Sequence, residues 1–306
     1  MDTTVADRAE EGSAPRQPRF VPRRSKDWST AARRSRAAVQ SLFVIWFVVT
    51  LWQHTVDGEG KGGSVESVCP FGGFETAWMW ITTGRTVPHT HLSNLVLAGV
   101  VTVLALLARG FFCGWICVLG SIQEGIRTIG RRLEKWIPAL HKARRSFIKH
   151  ATWLPSLHNF LHYGRYAVMV WALGGAALTG VMVFREVDPW SALMSIVEFE
   201  FSTAFAVLIF FLVVSLFVDR PFCNYACPLG AVQGLIAKAS PVSIQRNSEA
   251  CLGCDICNEA CPMQLPVNQR TRVTDGSCIG CLQCVAACPS RDALSLTVSL
   301  PVRVKN

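Results

Sequence analysis

The sequence predicts a membrane-embedded α-helical bundle followed by a small, cysteine-rich α+β module. Half of the 306 residues are hydrophobic and 17% are charged, whereas soluble domains usually contain about 25% charged residues. Several apolar runs are long enough to cross a membrane as helices. Of the 13 cysteines, eight lie between Cys251 and Cys288. Such crowding is typical of metal ligation and excludes a disulfide framework for this block.

The N-terminal residues 1–36 are predicted to form a disordered basic arm with no chemistry of its own. They are polar, rich in proline and arginine, and without hydrophobic periodicity. Residues 37–56 then contain no charged side chain, and a helix of that length crosses a hydrocarbon core about 30 Å thick. Because no convincing small-residue cleavage site follows, we expect an uncleaved anchor and not a signal peptide.

Three further membrane spans are predicted by the same test, at about residues 92–108, 166–184 and 201–218. The four spans would make up a membrane domain over residues 37–240. Arginine and lysine are unevenly divided between the flanking segments, with nine in 1–36, ten in 109–165, eight in 219–306, two in 54–91 and one in 185–200. Since cytoplasmic loops are rich in these residues, both termini are predicted on the cytoplasmic side of a bacterial inner membrane.

An internal repeat relates the inner ends of the second and fourth spans. Arg109–Gln123 aligns with Asp219–Gln233, and each copy contains a Cys-x3-Cys pair followed by Leu-Gly and a glutamine. Each copy also follows an out-and-back pair of spans, so the copies should be related by an axis along the membrane normal. Two hairpins would then pack side by side, with both cysteine pairs at the cytoplasmic face.

Two other kinds of apolar segment are predicted to lie along the membrane surface. After the first cysteine pair, apolar residues recur at helical spacing among arginines and lysines, which indicates an amphipathic helix on the inner surface; they are Ile122, Ile126, Ile129, Leu133 and Trp136. On the outer side, the short segments 71–81 and 190–199 are predicted to be interfacial or re-entrant caps over the spans.

The motif Cys-x2-Cys-x2-Cys-x3-Cys-Pro occurs twice, beginning at Cys251 and at Cys278. In this spacing three cysteines bind one cubic iron-sulfur cluster and the fourth binds the neighbouring cluster. The first [4Fe-4S] cluster is therefore assigned to Cys251, Cys254, Cys257 and Cys288, and the second to Cys278, Cys281, Cys284 and Cys261. A zinc ribbon is disfavoured because it uses separated Cys-x2-Cys knuckles. Residues 241–306 are thus predicted to form a 2[4Fe-4S] ferredoxin module that passes single electrons.

The doubled ferredoxin motif after four spans, together with the Cys-x3-Cys pairs, resembles the membrane-bound 4Fe-4S polyferredoxins of the NapH type and the membrane half of the NosR type. The resemblance covers about residues 37–306. Phe112-Cys113-Gly-Trp-Ile-Cys117 and Phe222-Cys223-Asn-Tyr-Ala-Cys227-Pro228 look closer to the NosR spelling. Val118 stands where the family usually has proline, and a large periplasmic flavin domain of the NosR kind is absent from this sequence.

The four cysteines of the membrane domain allow two interpretations. A pair spaced by four falls on one helical face, so two pairs brought together by the repeat would create a four-thiolate site. We hypothesise a third redox metal site at Cys113, Cys117, Cys223 and Cys227. The alternative is that they are buried thiols, or a redox-active dithiol close to the ferredoxin module.

The resemblance implies electron transfer between the quinol pool and a partner respiratory reductase or redox protein. In such an electron-transfer subunit no side chain is expected to act as a catalytic acid or base, apart from an acceptor for quinol protons. The resemblance also extends to membrane ferredoxins that reduce copper during oxidase assembly, and the Cys-x3-Cys pairs would then handle metal. Nucleic-acid binding is not expected, because the basic residues follow the membrane topology and no DNA-binding helix is evident.

The sequence leaves the roles of several histidines and of one further cysteine open. His54, His89 and His91 collect at the predicted outer ends of the first two spans, and His158 and His162 share a helical face before the third span. Such groups could bind a quinone or haem, or could be interfacial histidines with no ligand role, and quinol contact is considered for the outer group. Haem is not expected, because it requires two opposed rings that the sequence does not indicate. Cys69 on the outer side is predicted to be a small buried hydrophobe, with a partner-facing thiol as the alternative.

Overall fold

The computed structural model describes residues 27–57, 70–84, 92–139, 153–194, 202–290 and 292–298, together with positions 142 and 146. The helices of the first part include α1 (Asp27–Asp57), α2 (Pro70–Thr83), α3 (Leu92–Ala108), α4 (Val118–Trp136), α5 (Leu154–His162), α6 (Gly164–Thr179), α7 (Pro189–Met194), α8 (Thr203–Val214), α9 (Pro221–Tyr225) and α10 (Pro228–Ile236), and a π-helix at Phe112–Ile116 contains Cys113. The C-terminal part contains β1 (Val242–Arg246), α11 (Ile256–Glu259), β2 (Arg272–Val273), α12 (Gln283–Ala287) and β3 (Leu294–Val298).

Helix α1 begins at Asp27, inside the segment predicted to be a disordered arm. The predicted boundary at residue 36 is therefore wrong for residues 27–36, which are helical because this end of α1 packs against α4 and α12. Arg36 is only 3% exposed in that contact. Residues 1–26 lie outside the described residues. Charge density alone could not reveal that the last turns of the arm are held by tertiary contacts.

All four predicted spans contain helix, but they differ in length. Among the described residues, one helix is long and apolar enough to cross a membrane, over Thr30–Gln53. Two shorter apolar helices, Ser93–Ala108 and Thr203–Val214, coincide with the predicted second and fourth spans. The helix of the third predicted span, α6, ends at Thr179 because Gly180, its C-cap, adopts a left-handed φ of 77°. The four-span topology therefore stays a prediction.

Helix α2 is buried at its N-terminal half and exposed at its C-terminal half. Phe71 and Glu75 are 4% and 2% exposed, whereas Trp80 and Ile81 are 65% and 73% exposed. The helix crosses α3 closely at Gly73, where any Cβ would overlap the main-chain carbonyl of Asn94. Apolar side chains of this half pack into the core of the bundle. Residues 71–81 were predicted to be an interfacial or re-entrant cap. A helix that is buried at one end and exposed at the other is compatible with a re-entrant segment.

Helix α4 covers the stretch predicted to be amphipathic. Three of the five predicted apolar residues are exposed, namely Ile129, Leu133 and Trp136. The opposite face is buried against α1 and the second repeat, and it contains Gln123 and Arg127. The buried face of this helix is therefore polar, because it lies beside the cysteine pairs and not against lipid.

The C-terminal module has a three-stranded antiparallel sheet with strand order β2-β1-β3. Ile244 of β1 pairs with Val273 of β2 and with Leu296 of β3. Each cysteine motif begins before a short helix and ends just after it, with Cys257 in α11 and Cys284 in α12, and most of the thiols pack against an apolar core that includes Ile244 and Val273. The α+β module predicted for residues 241–306 is thus present in its described part.

The module is docked directly onto the first cysteine repeat. A Cβ at Gly114 would overlap the Ile279 carbonyl oxygen, and a Cβ at Gly110 would lie 3.0 Å from the Ile279 Cα. The Gly110 N–H donates to the Cys278 carbonyl at 3.4 Å. The glycines of the first repeat therefore let the second ferredoxin motif approach main chain to main chain.

Candidate iron-sulfur site

The eight cysteines of the module line two separate cavities. One cavity is bordered by Cys251, Cys254, Cys257 and Cys288. The other is bordered by Cys261, Cys278, Cys281 and Cys284. Each set takes three cysteines from one motif and the fourth from the other motif. These are the two sets that the motif spacing assigns to two clusters.

The backbone turns left-handed at equivalent positions of both motifs. In the first motif φ is 64° at Gly253 and 55° at Asp255, and in the second it is 60° at Gly280 and 57° at Leu282. Such turns direct consecutive backbone N–H groups into concavities that bind anions, including the sulfurs of iron-sulfur sites. The strained conformation at Asp255 and Leu282 is uncommon for residues with a side chain. Its repetition in both motifs indicates that the loops are shaped around the thiols.

The residues present fit iron-sulfur clusters better than a single ion. Burial raises the pKa of Cys261 to about 12 and that of Cys257 to about 11. Without iron these thiols would keep their protons at neutral pH, and cluster binding would release them. Within the described part of the chain, no three His, Cys, Asp or Glu side chains converge closely enough to hold one metal ion. The thiols instead surround cavities, as ligands of a four-iron cube must.

The four cysteines of the membrane domain come from the two repeats and lie close enough to affect one another's charge. The pKa of the Cys113 thiol is raised well above its usual value, first by burial and then by Cys117 and Cys223. The pKa of Cys227 is likewise raised by burial and by the other three thiols. Burial raises the pKa of Cys223 to about 12. The repeat therefore brings the two pairs close together, and all four cysteines are partly buried.

The second cysteine of each pair precedes a helix in the same way. Cys117 is the residue before α4, and Cys227 is the residue before α10. The Gly230 N–H donates to the Cys227 sulfur at 3.4 Å. The backbone N–H groups of Gly120 and Leu119 lower the pKa of Cys117, although burial outweighs them and raises it overall. Both sulfurs thus lie at a helix N-terminus, where negative charge is stabilised.

Two glutamines cross between the repeats. The Cys113 thiol donates to Gln233 Oε1 at 3.2 Å, and Gln123 Nε2 lies 4.0 Å from the Cys223 sulfur. Each glutamine therefore contacts the first cysteine of the repeat to which it does not belong. The sequence alignment of the repeats contained both glutamines, but their reach across the repeat axis could not be predicted from it.

Glu124 on α4 joins three parts of the chain next to the cysteines. It forms ion pairs with Arg36 at 2.6 Å and with Arg220 at 2.8 Å, and it accepts from Gln283 Nε2 of the module at 2.7 Å. Burial alone would raise the pKa of Glu124, but the two guanidinium groups outweigh it and lower the pKa to about 2. Arg220 is fully buried and also donates to the Cys113 carbonyl at 2.6 Å. Sequence reasoning missed this network, because its members are distant along the chain.

The second cavity of the module and the four membrane-domain thiols are neighbours. Cys113 packs against the apolar core of the module, as Cys278 and Cys281 also do. Trp115 Nε1 donates to the Gly280 carbonyl at 3.2 Å. Helix α11, which contains Cys257 of the first cavity, packs against α12, which contains Cys284 of the second. The three groups of thiols therefore follow one another from the first cavity through the second to the membrane domain.

His158 and His162 lie at the junction between the second repeat and the module. His158 Nδ1 is 2.8 Å from the Tyr225 hydroxyl, and His162 Nε2 is 2.9 Å from the Ser277 hydroxyl. Burial, followed by the positive charge of Arg165, lowers the pKa of His162 to about 4. The imidazole is therefore neutral at physiological pH. The predicted histidine pair thus bridges the Cys-x3-Cys motif and the loop before Cys278.

Glu75 on α2 and Asp188, the residue before α7, form a buried pair of carboxyl groups. Burial, reinforced by the charge of Asp188, raises the pKa of Glu75 to about 8. Burial also raises the pKa of Asp188 to about 7, although the Trp190 N–H donates to its carboxylate at 3.0 Å. The charge of Asp188 contributes to the raised pKa of Cys117. Neither Glu75 nor Asp188 belongs to a motif that the sequence analysis could single out.

Some predicted positions lie outside the described residues. They are Cys69, His89 and His91. Of His54, only its place in α1 is described.

Two families of known proteins match this chain. A family described as a 4Fe-4S binding domain matches residues 90–136 and again residues 202–247, which contain the two Cys-x3-Cys pairs. A family described as a 4Fe-4S dicluster domain matches residues 243–289, which contain the doubled cysteine motif. No solved structure matches the chain.

Several curated proteins are similar to this chain. YccM of Escherichia coli, provisionally named an electron transport protein, is 26% identical over 263 residues, covering 81% of this chain and 70% of YccM. The ferredoxin-type protein NapH of Escherichia coli is 29% identical over 188 residues, covering 60% of this chain and 59% of NapH. The regulatory protein NosR of Stutzerimonas stutzeri is 30% identical over 167 residues, covering 53% of this chain and 21% of NosR.

Proposed function

Because this chain belongs to the 4Fe-4S polyferredoxin family of the NapH and NosR type, we propose that it is a membrane-anchored protein that relays electrons between the quinol pool and a partner respiratory redox protein. The observation that carries the proposal is the succession of three thiol groups from the surface of the module to the end of the membrane domain that adjoins it. One-electron carriers must lie close together to exchange electrons, and this succession provides such a path.

The module would hold two [4Fe-4S] clusters, which supply one-electron chemistry when bound. The thiols of Cys251, Cys254, Cys257 and Cys288 would bind the first, and those of Cys261, Cys278, Cys281 and Cys284 the second. The cavity of the first set reaches the surface beside exposed Asp255, whereas the second is covered by the first cysteine repeat. A partner protein would therefore exchange electrons at the first cluster.

A third redox metal site would be formed by Cys113, Cys117, Cys223 and Cys227. Three observations support it. The thiols of both repeats lie close enough to raise one another's pKa. The fully buried Arg220 guanidinium lowers the pKa of Cys113, Cys117 and Cys223 against the effect of burial, and so favours anionic sulfur. The family match described as a 4Fe-4S binding domain covers both pairs.

The membrane domain would span a bacterial inner membrane through α1, α3, α6 and α8, with both termini in the cytoplasm. The uneven distribution of arginine and lysine supports this orientation. The third site would then lie at the cytoplasmic end of the bundle, against the module. Electrons would enter or leave the bundle at this end.

Asp188 would take up a proton released when a quinol is oxidised, and Glu75, which is protonated at neutral pH, would pass its own proton on before accepting another. Oxidation of a quinol releases two electrons and two protons, so a proton acceptor is needed beside the electron path. Both carboxyl groups are buried, and the pKa values of about 8 and about 7 let them bind and release protons near neutral pH. Asp188 also lies within the field of Cys117, on the electron path.

The first test is a count of iron and acid-labile sulfide per chain, made on full-length protein purified without oxygen and accompanied by electron paramagnetic resonance. We expect about twelve irons, since each cubic cluster contains four. Cys113→Ser and Cys223→Ser should each reduce the count to about eight, and Cys254→Ser should remove a different signal. Cys69→Ser is the matched control, and this variant should keep all of its iron.

Other results of this count would contradict the proposal. A wild-type count of about eight irons per chain would show that the protein binds two four-iron clusters and not a third. Stoichiometric copper at the four membrane-domain thiols would indicate a copper-handling assembly factor instead, since soft thiolates also select Cu(I). Reduction of the clusters by a water-soluble quinol in proteoliposomes tests the quinol link, and clusters that remain oxidised would contradict it.

A further inference from the structure

Gln123 and Gln233 occupy equivalent positions in the two repeats and make reciprocal contacts. Each lies ten residues after the first cysteine of its own repeat, yet each reaches the first cysteine of the other. Gln123 is fully buried and Gln233 is 2% exposed. Burying an amide costs free energy unless its polar atoms are hydrogen-bonded. The hydrogen-bond partners of both glutamine amides therefore need to be identified.

The two amides differ in orientation. The Phe222 N–H donates to Gln123 Oε1 at 3.3 Å, which leaves Nε2 as the group that faces the Cys223 sulfur. In Gln233 the oxygen faces the Cys113 thiol, and Nε2 is buried without a hydrogen-bond partner. A protonated thiol donates to an amide oxygen, whereas a metal-bound thiolate can only accept. The orphaned Nε2 of Gln233 therefore matches a state in which the Cys113 sulfur is a thiolate and the amide is turned.

The surroundings favour that thiolate state. Arg36 and Arg220 are both buried beside the first repeat and share a single carboxylate, Glu124. Two guanidinium groups share one carboxylate, so one buried positive charge is left to be compensated, and Arg220 is the group that lies against the first cysteine, donating to the Cys113 carbonyl at 2.6 Å. Anionic sulfur at Cys113 and Cys223 would provide this compensation.

We propose that Gln123 and Gln233 are positioning residues of the third site, each donating an amide N–H to the first thiolate of the opposite repeat and so raising the reduction potential of the bound cluster. Hydrogen bonds to cluster sulfurs tune the potential, and they favour the reduced state because it carries more negative charge. The proposal rests on the third cluster of the proposed function. Because the bonds cross between repeats, they also hold the two cysteine pairs together.

The test is a redox titration of each cluster signal in full-length protein, comparing the wild type with Gln123→Met, Gln233→Met and the double variant. Methionine has a similar size and no N–H donor. Each single change should shift the reduction equilibrium of the third cluster about tenfold toward the oxidised form, which is about 59 mV for one electron. The double variant should shift further, and the module clusters should keep their potentials. Gln269→Leu, at an exposed glutamine of the module, is the control and should change none.

Two outcomes would overturn the proposal in distinguishable ways. A wild type with only about eight irons would remove the third cluster itself, and with it part of the proposed function. Full iron content with an unchanged potential in the double variant would overturn the role of the glutamines alone. If a methionine variant loses the third cluster, Gln233→Glu keeps the shape while replacing the donor with an acceptor. A third-cluster potential in Gln233→Glu equal to or above that of the wild type would then overturn the proposal.

Discussion

Arg36 on α1 and Glu124 on α4 form a two-point ion pair, with Nη1 to Oε1 at 3.0 Å and Nη2 to Oε2 at 2.6 Å. The same arginine donates from Nε to the Gly114 carbonyl at 2.9 Å. The pair therefore joins the N-terminal helix to the first cysteine repeat, at the point where the module docks. Several expected outcomes depend on this junction.

Removal of the Glu124 carboxylate should strongly destabilise the fold. Glu124→Ala leaves Arg36 and Arg220 buried without their shared partner, which costs about 3–5 kcal/mol for a buried ion pair. The measurement is the unfolding of detergent-solubilised protein followed by circular dichroism. Glu259→Gln, an exposed residue of the module, is the control. A Glu124→Ala protein as stable as the control would contradict the role of this carboxylate.

The contribution of Glu124 should depend on pH in one direction. Its pKa of about 2 in the folded protein lies below the ordinary value of 4.5. The stabilisation is therefore complete above about pH 4.5 and is lost as the pH falls toward 2. Wild type and Glu124→Gln should differ in stability at pH 7 and converge under acid conditions. A constant difference from pH 7 to pH 3 would argue against the ion pairs.

Substitution of Gly114 should weaken the docking of the module. A Cβ at this position would overlap the Ile279 carbonyl oxygen, so Gly114→Ala must push the second ferredoxin motif away. We expect a cost of about 1–3 kcal/mol and weaker magnetic coupling between the second and third clusters in electron paramagnetic resonance. Gly125→Ala is the matched control, because a Cβ there meets nothing within 4 Å. Unchanged coupling in Gly114→Ala would show that the module does not depend on this approach.

Glu75 should make the fold less stable as the pH rises. The folded protein keeps the Glu75 proton up to about pH 8, whereas the ordinary pKa is 4.5. The unfolded chain therefore binds fewer protons between these values, and the free energy of unfolding falls as the pH rises through this window. Glu75→Gln should remove about 2–4 kcal/mol of this pH dependence between pH 5 and pH 8. Equal slopes for Glu75→Gln and for the exposed-residue control Glu249→Gln would contradict the buried carboxyl assignment.

Local patterns in the sequence were sufficient for the chemistry of the module and for the family. The doubled cysteine motif depends on residues a few positions apart, and its spacing already assigned eight thiols to two sets. The resemblance drawn from these motifs is confirmed by the comparisons. Apolar runs likewise predicted where α1, α3, α6 and α8 lie, because helix formation in an apolar run is largely a local property.

Contacts between distant parts of the chain could not be predicted in this way. The spacing of residues does not indicate that Gln233 reaches Cys113. It also does not indicate that Arg36 is buried against Glu124, or that the charge of Asp188 raises the pKa of Glu75. These pairs are brought together by the packing of the repeats and by the docking of the module. Their protonation follows from burial and from neighbouring charges, which exist only once the chain is folded.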